Sequence, residues 1–175
     1  APKAYRRARK RLAKAQRELS RKQKGSANRE KARRRLAKQY RRVARIRKDF
    51  LNKVSRKLVN ESQALVVETL TIKNMLKNHH LAAAIADASW GEFVRLIEYK
   101  AEREGRYVVH VDTYFPSSKT CSQCRYKRDE LDLSVRSWTC PKCGAHLDRD
   151  VNAAVNLKAK GIRMLRANGL VVLRA

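Results

Sequence analysis

Residues 140–157 read CPKCGAHLDRDVNAAVNL and carry the strongest structural signal in the chain. A pair of cysteines is followed closely by two aspartates and then by an alanine-rich segment. The chain as a whole is strongly basic, with a formal net charge of +27 over 175 residues. Aspartates just before an alanine-rich segment are typical of a helix N-terminus. We therefore expect a helix from about Asp148 to Ala167, entered directly from a cysteine turn.

The cysteines form two CxxC pairs separated by fifteen residues: Cys121, Cys124, Cys140 and Cys143. Two such pairs bring four thiolates to one point, the tetrahedral geometry that Zn²⁺ needs. A disulfide is the alternative, which a reducing cytosol disfavours. His146 lies near enough to substitute as a ligand, but with four thiolates we interpret it as a bystander. Since a complete shell of four thiolates leaves no open position for substrate, the zinc is predicted to be structural. Arg125 stands where the second knuckle has a glycine, which predicts a less regular first turn.

Three carboxylates are candidates for chemistry: Glu68, Asp148 and Asp150. One of the two aspartates is expected to cap the following helix. Glu68 lies within the apolar run ALVVETL, where a buried carboxylate is costly unless it is paired, protonated or bound to a cation. Beside Asp150, it would complete a hard-oxygen site for Mg²⁺ or Mn²⁺ of the kind that promotes phosphodiester cleavage. Glu68 and Asp150 are therefore the catalytic candidates.

The positive charge is concentrated at the start of the chain. Residues 1–57 hold 25 lysines and arginines against three acidic residues, a net charge of +22. So much charge in one segment predicts a phosphate backbone as partner rather than a membrane surface. The nucleic-acid-binding candidates are Arg21, Lys22, Lys24, Arg33, Arg34, Arg41 and Arg42.

Two narrow apolar seams predict that this basic segment is an antiparallel helical hairpin. Gly25 suits the end of the first helix, and Ser26 or Asn28 suits the cap of the second. The first seam comprises Tyr5, Ala8, Leu12, Ala15 and Leu19. The second comprises Leu36, Tyr40, Val43, Ile46, Phe50, Val54 and Leu58.

An α/β pattern follows the hairpin. The apolar run at 64–70 predicts a strand buried on both faces, and 106–112 predicts a second strand. Between them a helix is expected over 81–104, ended by Gly105, with Ala84 among its core candidates. Strand, helix and strand in this order favour a parallel pair. The end of the chain, 169–175, is read as a short strand or a frayed tail.

No stretch approaches the ~18 to 20 apolar residues that span a bilayer, and no signal peptide opens the chain. The sequence therefore predicts a cytoplasmic protein without a membrane partner. The chain begins with Ala1 rather than methionine, which suggests a fragment or a processed product.

In order, the segments ALVVETL, NHHLAAAIADASWGEFVRLIEYKAEREG, FPSSKTCSQC, LDLSVRSWTCPKCG and DRDVNAAVNL resemble the C-terminal half of the TnpB family. These are RNA-guided DNA endonucleases of bacterial transposons, related to type V CRISPR effectors. The resemblance covers residues 3–165. It implies a partial RNase H-like (RuvC) core with a basic hairpin and an inserted four-cysteine zinc ribbon. The implied domains are a hairpin at 1–60, a core part at 61–118, the ribbon at 119–146 and a C-terminal helix and tail at 147–175.

The resemblance also implies roles. Glu68 and Asp150 match two of the three acids that hold the catalytic ions, and Asp148 matches a neighbouring acid. The first aspartate of the family lies upstream of the hairpin, so this chain alone is expected to lack it, and no motif makes Asp112 its replacement. Guide RNA and target DNA are the implied partners, in a bacterial, nucleoid-associated setting. The alternatives are a non-catalytic zinc-ribbon RNA- or DNA-binding protein derived from such a nuclease, and a basic ribbon protein that packs on structural RNA.

Overall fold

The computed structural model describes residues 3–132 and 134–170, apart from the side chains of His80 and Leu81. Two compact units are formed, one by 1–62 with 71–105 and the other by 63–70 with 106–175. The described helices are α1 (Ala4–Ser20), α2 (Ala27–Glu61), α3 (Ile72–Met75), α4 (His79–Ala88), α5 (Trp90–Arg103) and α6 (Arg149–Ala167). The strands are β1 (Ala64–Glu68), β2 (Tyr107–Val111), β3 (Ser137–Thr139) and β4 (His146–Asp148). None of these helices is both long and apolar enough to cross a membrane.

Helices α1 and α2 form the expected hairpin. Gly25 turns the chain with φ +81°, and the Ser26 hydroxyl caps α2 by accepting a hydrogen bond from the Arg29 N–H at 3.1 Å. The buried seam between the helices comprises Ala4, Ala8, Leu12, Leu36 and Val43. The outward-facing remainder is dense in lysine and arginine.

The predicted seams are wrong at three positions. Tyr5, Tyr40 and Ile46 are exposed. Ala4 instead of Tyr5 lies in the buried seam. Beyond Val43 the buried row of α2 changes direction to Leu51, Ser55 and Val59, because the second half of α2 packs on α5 rather than on α1.

The helix predicted over 81–104 is two helices, α4 and α5. Ser89 separates them in the left-handed region, with φ +52°. Asp87, at the end of α4, accepts hydrogen bonds from the Tyr5 N–H at 3.1 Å and from the Arg47 guanidinium at 2.9 Å. These bonds tie α4 to the hairpin and supply the start of α1 with a carboxylate cap. Ala84, expected in the core, is exposed.

Helix α5 belongs to the first unit, although the sequence grouped it with the core part at 61–118. Its buried face includes Leu96, Ile97 and Ala101. Lys100 is also buried, and its ammonium donates to the Asn52 carbonyl and the Ser55 hydroxyl of α2, each at 2.7 Å. Burial and the nearby Arg56 charge lower the pKa of Lys100. These contacts explain why residues 71–105 belong to the same compact unit as the hairpin. Gly105, with φ +61°, ends the segment as expected.

The second unit is built on the predicted parallel pair. Strand β1 pairs with β2 in a register that sets Glu68 opposite Val111, and α6 contacts both strands. Val67 is the one residue of β1 that is buried, and its neighbours are half-buried, so the expected burial on both faces is not reached in this two-stranded sheet. Helix α6 begins where predicted. The predicted terminal strand lies largely outside the described residues, which end at 170.

Gly161→Ala is expected to destabilise the second unit. A Cβ at Gly161 of α6 would overlap Cγ2 of Val66 and lie 2.9 Å from its Cγ1, so helix and strand must separate. We expect a loss of about 1–3 kcal/mol, typical of overpacking, measured as a lower urea midpoint with faster amide exchange in β1. Gly91→Ala in α5 meets no atom within 4 Å and should instead be neutral or stabilising. Val66→Ala combined with Gly161→Ala should recover stability, because it removes the methyl groups that the new Cβ would meet. Equal stability of Gly161→Ala and Gly91→Ala would contradict this packing.

Candidate metal centre and carboxylate site

The four cysteine sulfurs converge at one point. All four lie within 4.8 Å of one another, with 3.7 Å between the sulfurs of Cys121 and Cys143 and 3.6 Å between those of Cys124 and Cys140. A tetrahedral ion with Zn–S bonds of ~2.3 Å separates its sulfurs by about 3.8 Å. The sulfur spacing therefore fits a metal such as zinc. His146 lies outside this cluster, exposed, with its Nδ1 3.2 Å from the Thr139 hydroxyl.

The two cysteine knuckles have the same backbone geometry. Arg125 has φ +65° and Gly144 has φ +72°, and their N–H groups donate to the carbonyls of Cys121 and Cys140 at 3.0 and 2.9 Å. The expected irregularity of the first turn is therefore wrong. The Arg125 guanidinium donates to Oδ1 of Asn156 at 3.0 Å. This bond helps to hold a conformation that otherwise favours glycine.

The ribbon is stabilised by a small buried cluster around its sulfurs. Cys121, Cys140, Trp138 and Leu147 are buried, and the Arg128 guanidinium lies 5.5 Å from the Trp138 ring centroid. Burial raises the pKa of the Cys140 thiol, but backbone N–H groups of the second knuckle donate to its sulfur and bring the pKa to about 7. The backbone thus favours the thiolate, the form that binds metals, at Cys140. At Cys143 the Ala145 N–H lowers the pKa, but the Cys124 thiol and burial outweigh it and raise the pKa to about 12.

The two aspartates at the start of α6 have different environments. Asp148 is the cap, because its Oδ1 accepts hydrogen bonds from the N–H groups of Asp150 at 3.0 Å and Val151 at 2.9 Å. The Asp150 side chain is 77% exposed, with its Oδ1 3.4 Å from Nε of Arg149. Asp150 is therefore available for a ligand, whereas Asp148 is occupied by the helix.

Glu68 is the last residue of β1 and is half-buried. Its Oε1 accepts a hydrogen bond from the Ser117 hydroxyl at 2.8 Å, and Oε2 has no hydrogen-bond donor among the described residues. Asp112 is exposed directly after β2. Since the carboxyl ends of parallel strands meet at one edge, Asp112 follows the strand end that lies beside Glu68.

Sequence reasoning missed Ser117, Asn152 and Asn156, which are all buried. The two asparagines lie one turn apart on α6 and bond to the 117–120 loop and to the first knuckle. The sequence feature that could have indicated their burial is the i, i+4 spacing of Asn152 and Asn156 on an otherwise apolar helix face. Their bonds join the cysteine ribbon to the Glu68 edge of the sheet.

The predicted nucleic-acid-binding residues of the hairpin are all exposed. The Glu30 carboxylate forms salt bridges with Arg33 at 2.8 Å and Arg34 at 3.1 Å. Hydrogen bonds from Arg33, the larger effect, and from Arg34 lower the pKa of Glu30 to about 2. One exposed stretch of α2 is dense in cations, which are Arg34, Lys38, Arg41, Arg42 and Arg45. Arg29 instead stabilises the hairpin turn by donating to the carbonyls of Leu19 and Lys22.

The structure combines a basic hairpin, a parallel strand pair and a four-cysteine ribbon that leads into an aspartate-capped helix, and it thereby defines a cysteine-ribbon protein. Residues 1–79 match the family OrfB_IS605, described as "Probable transposase", and 90–157 match the Cas12f1-like TNB domain. The resemblance of the motifs to part of the TnpB-like proteins is therefore confirmed.

Two curated relatives illustrate the match. The chain is 55% identical over 161 residues to a Streptomyces pristinaespiralis protein named "Putative RNA-guided DNA endonuclease", covering 92% of this chain and 40% of the relative. It is 31% identical over 177 residues to the Escherichia coli K12 protein "Putative RNA-guided DNA endonuclease InsQ", covering 93% and 44%. The chain thus spans about two fifths of these relatives.

A solved structure shares the fold. A chain of a Cas12f1–sgRNA–target DNA complex aligns with a TM-score of 0.59 at 19% identity, covering 85% of this chain and 40% of that one. Similarity at this identity concerns the fold alone. It supports the mixed α/β architecture with a cysteine ribbon.

Proposed function

We propose that this chain is the C-terminal nuclease portion of an RNA-guided, metal-dependent DNA endonuclease with an RNase H-like (RuvC) core. The observation that carries the proposal is the position of Glu68. This carboxylate ends a parallel strand that α6 contacts, and α6 bears the exposed Asp150 in its first turn. Relatives named as RNA-guided DNA endonucleases support the same reading.

In the proposed site Glu68 and Asp150 hold Mg²⁺ or Mn²⁺. Such an ion, when bound, supplies charge to the phosphate and lowers the pKa of bound water. Glu68 is suited to this role because Ser117 donates to Oε1, while no residue that the structure describes donates to Oε2. Asp150 is suited because its side chain is exposed while Asp148 serves the helix. The resemblance assigns the remaining carboxylate to a segment upstream of the hairpin.

The four cysteines are proposed to bind a structural Zn²⁺. Four thiolates complete the tetrahedral shell, so the metal has no open position for substrate. Its role is to hold short strands and two knuckles that contain few apolar residues. Catalysis is thereby assigned to the carboxylates alone.

The hairpin is proposed to bind the phosphate backbone of guide RNA or of its duplex with target DNA. Arg41→Gln combined with Arg42→Gln removes two exposed charges from this cationic stretch of α2. We expect weaker binding and a plot of log affinity against log salt that is shallower by about 1–2 units. Arg163→Gln combined with Arg166→Gln on α6 is the control with equal charge loss. Fluorescence anisotropy across salt concentrations measures both, and an unchanged slope in the α2 variant would argue against this surface.

The proposed activity is tested with the whole protein that carries this chain, loaded with its guide. We expect target DNA to be cut when Mg²⁺ or Mn²⁺ is added and to remain intact when the zinc-loaded protein receives neither ion, with binding retained in both conditions. Binding without cutting in any divalent ion would instead favour the non-catalytic zinc-ribbon protein.

A further inference from the structure

Two buried asparagines of α6 hold the loop that follows β2. Asn152 and Asn156 are 2% and 0% exposed. The Asn156 amide donates to the carbonyls of Ser117 at 2.9 Å and Thr120 at 2.6 Å, and the Asn152 amide donates to Thr120 at 2.8 Å. Asn152 also makes longer contacts to the carbonyls of Ser117 and Ser118, at 3.5 and 3.4 Å. Loop 117–120 is thus fixed from α6 through its carbonyl groups.

The other ends of the same amides are held by the first cysteine knuckle. Oδ1 of Asn152 accepts from the Ser122 N–H at 2.9 Å, and Oδ1 of Asn156 accepts from Arg125 at 3.0 Å. Ser122 and Arg125 belong to the turn that carries Cys121 and Cys124, which the Arg125 N–H closes by donating to the Cys121 carbonyl at 3.0 Å. The donor ends of the asparagines therefore hold the loop while their acceptor ends hold the knuckle.

The loop in turn holds Glu68. Ser117 is buried, its carbonyl accepts from Asn156, and its hydroxyl donates to Oε1 of Glu68 at 2.8 Å. A continuous series of hydrogen bonds thus runs from the cysteine knuckle to the carboxylate. Buried networks whose members are all satisfied are rigid, and their members depend on one another.

Loop support alone does not account for this arrangement. Satisfying the loop carbonyls would need only the amide N–H groups, yet both amide oxygens are bonded to the knuckle, and the Ser117 hydroxyl is bonded to a carboxylate. We propose that Asn152, Asn156 and Ser117 are positioning residues that fix Glu68 and make its orientation depend on the metal-bound knuckle. The inference rests on the proposed function for its catalytic meaning, but the coupling itself does not.

The coupling is tested on the Glu68 side chain by NMR relaxation of its methylene groups in the zinc-loaded chain. Ser117→Ala, which removes a single hydroxyl, and removal of zinc are each expected to cause a loss of order at Glu68. Ser118→Ala is the matched control and should leave Glu68 ordered. Asn156→Ala should resemble Ser117→Ala, and where it does not fold, the serine pair and zinc removal decide. Equal order at Glu68 in wild type, Ser117→Ala and the zinc-free chain would overturn the proposal.

A second measurement separates this proposal from the proposed nuclease function. Mn²⁺ broadens amide signals near its binding site, so titration of the Val67 and Thr69 signals reports binding at Glu68. Loss of one hydrogen bond should raise the half-saturating Mn²⁺ concentration about three- to tenfold in Ser117→Ala and not in Ser118→Ala. If Mn²⁺ broadens no signal in the wild type but the order of the Glu68 side chain still depends on Ser117, the positioning role is supported. The same result would count against Glu68 as a metal ligand.

Discussion

Removal of the metal from the four cysteines is expected to unfold residues 119–148. The ribbon has two three-residue strands and a buried cluster of only a few side chains, so its own core is too small to be stable. Structural zinc sites contribute about 10–16 kcal/mol of apparent binding free energy to such elements. Chelation, or Cys140→Ser, should therefore abolish amide protection in β3 and β4 and accelerate exchange in the first turn of α6.

His146→Ala is the control for this prediction. His146 is exposed and lies outside the sulfur cluster, so its removal should leave zinc content and amide protection unchanged. Helices α1 and α2, which belong to the other unit, should also keep their protection after chelation. Unchanged exchange in β3 and β4 after metal analysis has verified the loss of zinc would refute a structural role for the metal.

The features predicted from the sequence are those set by local chemistry. Gly25 and Ser26 mark the hairpin turn because a left-handed glycine and a serine cap act within a few residues. The start of α6 follows from the Asp148 cap in the same way. The cysteine cluster follows from spacing alone, since two CxxC pairs have few other ways to satisfy four thiolates.

The features that the sequence did not predict depend on distant partners. Ser89 has no helix-breaking signature, and the break is tied to Asp87, which bonds to the start of α1. Lys100 is buried only because α2 presents a carbonyl and a hydroxyl to its ammonium. Asn156 has bonding partners some thirty to forty residues away. Periodicity assigns such polar residues to the surface, because it contains no information about the partner that offsets the cost of burial.

The catalytic assignment of Glu68 and Asp150 stays a prediction of a different kind. The geometry distinguishes the two aspartates of α6, since Asp148 caps the helix and Asp150 has a 77% exposed side chain. The resemblance assigns the metal-binding role to the exposed one. Substitution of Asp148 and substitution of Asp150 should therefore have different effects, the first on the stability of the fold and the second on DNA cleavage.

Asp150→Ala, made in the whole guide-loaded protein, is expected to reduce DNA cleavage at least about 100-fold, the loss typical when a group that stabilises transition-state charge is removed. Guide and target binding should be retained. Thermal stability should change little, because the Asp150 side chain is 77% exposed and its contact among the described residues is with Arg149, at 3.4 Å. Asp148→Ala should show the opposite pattern. It removes the α6 cap and costs about 1 kcal/mol of stability, while cleavage persists at temperatures at which the protein remains folded. Cleavage at the wild-type rate by Asp150→Ala would remove Asp150 from the catalytic set, and loss of cleavage by folded Asp148→Ala would transfer the metal-binding role to the capping residue.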